Sequence, residues 1–178
     1  GGGQRLRDVK GGADRVAPVH RAKAIRFTRG IRGAGLADVI RQSNSGNYGL
    51  HLALHSNAAG DSMSGQLNGA DMYYYTYSVW GKKAAKILAE NYRKIAYDPN
   101  RVQARPTTKL VEVTKTNAPA VLVEVEYHDN EAGANWIRTH INEMAANLTE
   151  GLTIYFGFTY ISDTMEPRSA MVCTKESP

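Results

Sequence analysis

Two short runs hold the side chains whose types and spacing could do chemistry. Leu50–Asn57 reads Leu-His-Leu-Ala-Leu-His-Ser-Asn and alternates like a buried strand. Residues two apart in a strand share a face, so His51, Ala53 and His55 look one way and Leu50, Leu52 and Leu54 the other. Val123–His128 reads Val-Glu-Val-Glu-Tyr-His. A regular strand there would put Glu124, Glu126 and His128 on one face. A neutral imidazole at a strand end can hold a metal or move a proton. A glutamate among Val and Leu is costly to bury unless it is paired or faces a polar cleft, and burial raises its pKa toward the range useful for acid–base work. A His ligand at one strand end and a Glu base at another would suit zinc hydrolysis, in which the metal takes His and carboxylate ligands and activates a water. The plainer alternatives are hydrogen-bonded structural histidines, and acids that are exposed or paired with Lys and Arg.

Other chemistries fit less well. There is no His-Glu-x-x-His and no Cys-x-x-Cys. Gly30–Gly35 lacks the spacing of a phosphate-binding loop. Ser56, His55 and Asp129 make a Ser/His/Asp set on paper, but no Gly-x-Ser-x-Gly elbow accompanies them. Tyr73, Tyr74, Tyr75 and Tyr77 could stack on a sugar, although core packing is the commoner use of such a strand.

The elements that must position these residues follow from local pattern. Residues 4–23 suggest a helix weakened by Gly11, Gly12 and Pro18, and 24–29 a short strand. Leu36–Ser43 predicts a short helix and Tyr48–His55 a strand. Asn57–Gly69, small and polar, predicts a loop long enough to have a function. Ala70–Tyr77 predicts an aromatic-rich strand, Ser78 an N-cap, and Val79–Tyr97 an amphipathic helix stopped by Asp98-Pro99-Asn100. Residues 101–117 look mostly like loop, with a short strand at Lys109–Val113. Ala120–Tyr127 predicts a buried strand, and Asn130–Phe156 one long helix closed by Gly157. Residues 1–157 are expected to form one domain and 158–178 a tail. Strands alternating with helices predict a layered α/β domain with a largely parallel sheet, whose functional groups gather beyond the carboxyl ends of the strands.

Bulk properties narrow the classes. A length of 178 residues and 42% hydrophobic content suit one soluble core. No apolar run approaches the roughly 18 residues of a membrane span, and no secretory signal is legible. The single Cys173 rules out an internal disulfide framework. The net charge of +5 is uneven: residues 1–41 hold ten Lys and Arg against three Asp. That segment could meet a nucleic acid or a wall polyanion. Only Phe27 interleaves aromatically with it, which argues against single-stranded nucleic acid.

Taken together, the motifs resemble the zinc-dependent N-acetylmuramoyl-L-alanine amidases of the Amidase_3 group. His55-Ser56-Asn57-Ala58 is similar to that family's S-x-H-x-N-A strand end, which supplies a zinc-binding histidine. Pro119-Ala120-Val121-Leu122-Val123-Glu124-Val125, followed by Tyr127 and Asn130, is similar to its P-A-V-L-V-E-x-x-F-x-x-N segment. The likeness runs from about Ser43 to Phe156. It implies a three-layer α/β fold with a mixed, mostly parallel sheet flanked by helices. It also implies Zn2+ as cofactor, peptidoglycan as partner, and cleavage of the amide between the muramic acid lactyl group and the stem-peptide L-alanine. By the same resemblance His55 is a metal ligand and Glu124 the catalytic residue, with Asn57, His128 and Glu126 supporting the site or touching substrate. A cell-wall, extracellular or phage-lysis setting follows.

The family pattern has two more ligands, a histidine after a first strand and a glutamate early in the first helix. The chain is expected to lack that strand, and the positions for the glutamate, Gln4–Arg7, carry no acid; no Glu precedes Glu90. His20 is the remaining N-terminal histidine. The basic segments 4–24 and 30–39 fit a first helix poorly and suggest local alteration. The rival expectation is therefore a catalytically inactive peptidoglycan-binding or scaffold domain of the same fold.

Overall fold

The computed structural model describes residues 35–158 and 160. The helix expected over 4–23, the strand over 24–29 and the greater part of the tail lie outside the described residues. Helix α1 (Leu36–Asn44) leads to strand β1 (His51–Asn57). A loop containing a single 3-10 turn (Asp61–Met63) follows, then β2 (Ala70–Tyr75), α2 (Val79–Tyr92), β3 (Val102–Thr107), a short α3 (Val111–Thr114), β4 (Ala120–Tyr127), α4 (Glu131–Thr139) and α5 (Ile141–Phe156).

The four strands form one sheet in the order β1-β4-β2-β3. β1 pairs parallel with β4 and β2 parallel with β3, while β2 and β4 run antiparallel. The expected mixed, mostly parallel α/β sheet is thus what forms. β4 lies between β1 and β2, and its Ala-Val-Leu-Val run suits a strand covered on both sides. Val121, Val123 and Met72 are buried, as are Ala84, Ala85, Leu88, Ala89 and Tyr92 of α2, which packs over β2, β3 and β4. Leu122 joins Ala53, Ala120 and Val113 in a separate cluster closed by Tyr73 and Leu110.

α2 begins where the sequence predicts: Ser78 Oγ accepts the Gly81 N–H at 3.0 Å. It ends five residues early, at Tyr92, whose hydroxyl donates to the Val125 carbonyl at 3.1 Å. α5 lies along α2. A Cβ at Gly151 would stand 2.8 Å from Leu88 Cδ2, so glycine is what permits the approach. Asn91 and Asn147 exchange side-chain-to-carbonyl hydrogen bonds at 2.7 and 2.9 Å across the same contact, which satisfies their amide nitrogens inside an apolar seam.

Three expectations give way. Residues 101–117 are not mostly loop: Val102–Thr107 is a strand, and the alternating Leu-Val-Glu-Val run is a turn of helix. Leu110 and Val113, three apart, both reach the cluster around Ala53, so packing overrides β-propensity there. The long C-terminal helix is two helices. His140 leaves the α region (φ −116°, ψ 19°), its Nδ1 lies 2.9 Å from the Trp136 carbonyl, and Thr139 Oγ1 donates to Asn135 O. These side-chain bonds compete with the next helical turn. Finally, β1 is not a buried strand: Leu54 is 59% exposed and Leu52 half-buried, and the more buried side is the one that carries His51 and Ala53. Among the described residues no helix is long and apolar enough to cross a membrane.

Candidate active site at the ends of β1 and β4

The sheet register sets the site. His55 on β1 lies opposite Glu124 on β4, and Glu124 lies opposite Asp71 on β2. Register partners share a face, so an imidazole and two carboxyl groups form a row across three strands. Glu124 and Asp71 are held in place by buried neighbours one residue away, Val123 and Met72, and His55 by the buried Ala53 two residues back on β1.

The two acids have different environments. Asp71 is buried but well partnered. Arg105 Nε donates to its Oδ1 at 2.6 Å, and the Tyr73 hydroxyl donates to Oδ2 at 3.2 Å. Burial and the adjacent Asp71 push the Tyr73 phenol up to about 12. Glu124 is half-buried, and its Oε2 is shut from solvent with no hydrogen-bond partner. Burial raises its pKa; Asp71 adds to the rise, while His55 and His128 oppose it. An acid destabilised as a carboxylate and paired in register with an exposed imidazole is suited to accept and return a proton.

The expected common face of Glu124, Glu126 and His128 does not survive. The register runs His55 with Glu124 and then Asn57 with Tyr127, so β4 carries one residue more than β1 over that interval. The bulge sends Glu126 into the interior, where it is 1% exposed and Oε1 accepts from the N–H of Gly69 at 2.7 Å and of Tyr127 at 2.8 Å. Burial raises its pKa and these two donors moderate the rise. Glu126 ties the end of the 57–69 loop to β4 and stands apart from the His55–Glu124 row.

Other expected residues fall near the row. The His128 ring lies with Nδ1 3.0 Å from Ser56 Oγ and 3.1 Å from Ser56 O, and its backbone N–H donates to Asn57 O at 2.8 Å. Asn57 Oδ1 accepts the Ala58 N–H at 2.9 Å, turning the chain into the loop. Asp129 Oδ2 accepts from Ala59 N and Gly65 N, and Asn130 Nδ2 donates to the carbonyls of Gly65 and Leu67. Residues 129–130 therefore hold the loop, and the Ser56, His55, Asp129 set does not assemble, because Ser56 meets His128 instead. Of the tyrosines, Tyr74 is buried, Tyr73 and Tyr75 are partly so, and Tyr77 is exposed.

One residue that the sequence pattern did not single out joins both histidines. Glu112 of α3 places Oε1 3.1 Å from His51 Nε2 and Oε2 3.4 Å from His55 Nε2. The His51 and Glu112 side chains are 11% and 12% exposed, against 47% for His55. The hydrogen bond from His51 keeps the Glu112 pKa low despite burial, with His51 and His55 charge adding to the effect. His51 is thus the more enclosed member of the pair. The signal for Glu112 in the sequence is the same as for Glu124, an acid inside an apolar run.

A protein zinc site takes about three His, Cys, Asp or Glu ligands. Among the described residues no group of three or more such side chains could hold a metal ion. His55 presents an exposed ring and Glu124 an orphaned oxygen, but the described donor set does not by itself fit zinc. The ligand positions sought near Gln4–Arg7, and His20, lie outside the described residues.

The model of the family described as "N-acetylmuramoyl-L-alanine amidase", Amidase_3, matches residues 21–154. No curated relative matches the chain in sequence. Among solved structures, the catalytic domain of an endolysin targeting Clostridia difficile is 23% identical with a TM-score of 0.58, over 71% of this chain and 64% of that one. The CwlD amidase from Clostridioides difficile is 19% identical with a TM-score of 0.62, over 68% and 61%. The catalytic domain of the amidase CwlV from Bacillus (Paenibacillus) polymyxa is 21% identical with a TM-score of 0.60, over 71% and 68%. These likenesses establish a shared fold. The chain spans under two thirds of the length of the first two.

Proposed function

Because this chain belongs to the N-acetylmuramoyl-L-alanine amidase family Amidase_3, we propose that it binds peptidoglycan stem peptides beside His55 and Glu124, as a domain that keeps the amidase fold with a reduced metal site. The observation that carries this reading is the donor set: among the described residues no three His, Cys, Asp or Glu side chains come together to hold a metal ion, where a hydrolytic zinc centre needs about three ligands. The loop 57–69, anchored by Asp129 and Asn130, and the exposed His128 would border the bound peptide. The setting is the bacterial cell wall, whether from outside the cell or during phage lysis.

A second reading, hydrolysis of the amide between N-acetylmuramic acid and L-alanine, is favoured by one feature. Glu124 has the raised pKa and the orphaned Oε2 of a residue that would take a proton from water and pass it to the leaving amine. In that reading Zn2+ would be the cofactor and His55 one of its ligands, with the others supplied from outside the described residues.

Purified cell wall separates the two. The binding reading expects the chain to sediment with the wall, to release no stem peptide with added zinc, and to lose wall binding in His55→Ala or Glu124→Ala. Zinc-dependent release that disappears in Glu124→Ala would replace it with the hydrolase. Neither binding nor release would refute both.

A further inference from the structure

We propose that Glu112 is a positioning residue that clamps His55 by its Nε2–H and so makes Nδ1 the working nitrogen of the site. The geometry fixes hydrogen placement link by link. Each Glu112 oxygen faces an imidazole nitrogen, and at about pH 8, far above the ordinary carboxyl range, a glutamate is a carboxylate, which only accepts. Both imidazole nitrogens that face it, Nε2 of His51 at 3.1 Å and Nε2 of His55 at 3.4 Å, must therefore carry their protons. In neutral His51 the other nitrogen, Nδ1, then has a lone pair, and Ser43 Oγ, 3.0 Å away and buried, donates to it. The chain runs in one direction: Ser43 O–H to His51 Nδ1, His51 Nε2–H to Glu112 Oε1, and His55 Nε2–H to Glu112 Oε2. It ends with a lone pair on His55 Nδ1, for which the described residues offer no partner.

The elements explain why Glu112 can do this. α1 brings Ser43, α3 brings Glu112, and β1 brings the two histidines four residues apart on one face. Asn44 ties α1 to the α3–β4 turn, donating to Lys115 O at 2.8 Å and accepting the Asn117 N–H at 2.7 Å. His51 and Glu112 are nearly buried, so the clamp is rigid at its root and meets solvent only at His55. An oriented carboxylate behind a histidine fixes its tautomer and the direction of its free nitrogen. This deepens the site placed at His55 and Glu124, and it holds whether that site binds or hydrolyses.

The test is imidazole nitrogen–proton NMR on the full chain at about pH 8, above the ordinary imidazole range. A half-exposed ring N–H exchanges with water too fast to be seen unless a hydrogen bond protects it. The expected result is a visible Nε2–H signal for both His51 and His55, with His55 Nδ1 unprotonated. In Glu112→Ala, which removes both acceptors, the His55 signal disappears while the backbone spectrum shows the fold intact. A protonated Nδ1 on His55, no visible Nε2–H on His55 in the wild type, or a His55 signal unchanged in a folded Glu112→Ala would each overturn the proposal. The wild-type spectrum alone decides if the variant does not fold. Failure of wall binding would leave these spectra, and the inference, untouched.

Discussion

Glu124 and Glu112 are both glutamates flanked by valines, and their surroundings drive them in opposite directions. Glu124 has an enclosed oxygen without a donor, so the fold favours its protonated form. Glu112 has an imidazole N–H on each oxygen, so the fold favours its carboxylate. The linkage signs follow. A raised carboxyl contributes stability below its ordinary value of 4.5 and loses it as pH rises through the folded value. Glu124→Gln is therefore expected to unfold at a higher temperature than the wild type at neutral pH, with the gap closing as pH falls toward 4.5; a constant gap in thermal melts would contradict this. A depressed carboxyl contributes stability above 4.5 and loses it as pH falls through its lower folded value. Glu112→Ala should cost about 1–3 kcal/mol in urea denaturation, because it leaves the nearly buried His51 N–H without an acceptor.

At the scale of elements, the turn from β4 into α4 organises the mouth of the site. Asn130 serves two structures at once: Oδ1 accepts the Gly133 N–H to cap α4, and Nδ2 donates to two carbonyls of the 57–69 loop. The two roles are separable. Asn130→Asp keeps a capping oxygen and removes the donors, so α4 should hold while the loop becomes sensitive to limited proteolysis. Asn130→Ala should show the same cleavage and a further loss of about 1 kcal/mol from the cap. Gly133 is the closest fit in this turn. A Cβ there would stand 2.5 Å from Tyr127 O and 3.1 Å from Glu126 Cγ. Alanine would favour a helix by up to about 1 kcal/mol, but the clash is with backbone that is held by Glu126. Gly133→Ala should therefore be destabilising by about 1–3 kcal/mol, and a variant as stable as the wild type would show that the bulge can move.

At the scale of the molecule, the stabilising mass and the site occupy different places. α2 packs on the sheet and α5 on α2, while the site residues stand where β1 and β4 end. Leu88 is the side chain common to the sheet-facing helix and the α5 contact. Leu88→Ala should cost about 2–5 kcal/mol of global stability, and residual wall binding of the folded fraction should match the wild type. Loss of affinity in the folded fraction would mean that the helical layer and the site are coupled.

Local pattern by itself determined the parts of this protein that depend on neighbours in the chain. The apolar run 120–127 reads as a covered strand, Ser78 as a helix cap, and Gly157 as the close of a helix, which it makes with a positive φ of 76°. The strand positions of His55 and Glu124 were legible because each lies inside a distinctive motif. Tertiary structure decided the rest. The Leu-Val-Glu-Val run has the alternation of a strand, and only the apolar cluster beneath it makes it helical and delivers Glu112 to His51 and His55. The period of two that would align Glu124, Glu126 and His128 is broken by a one-residue bulge, visible only once β1 fixes the register. Asp71 and Arg105 are far apart in sequence and meet because β2 and β3 pair. Pairing, register and burial are long-range quantities, and they decide which of several plausible acids and histidines stand together.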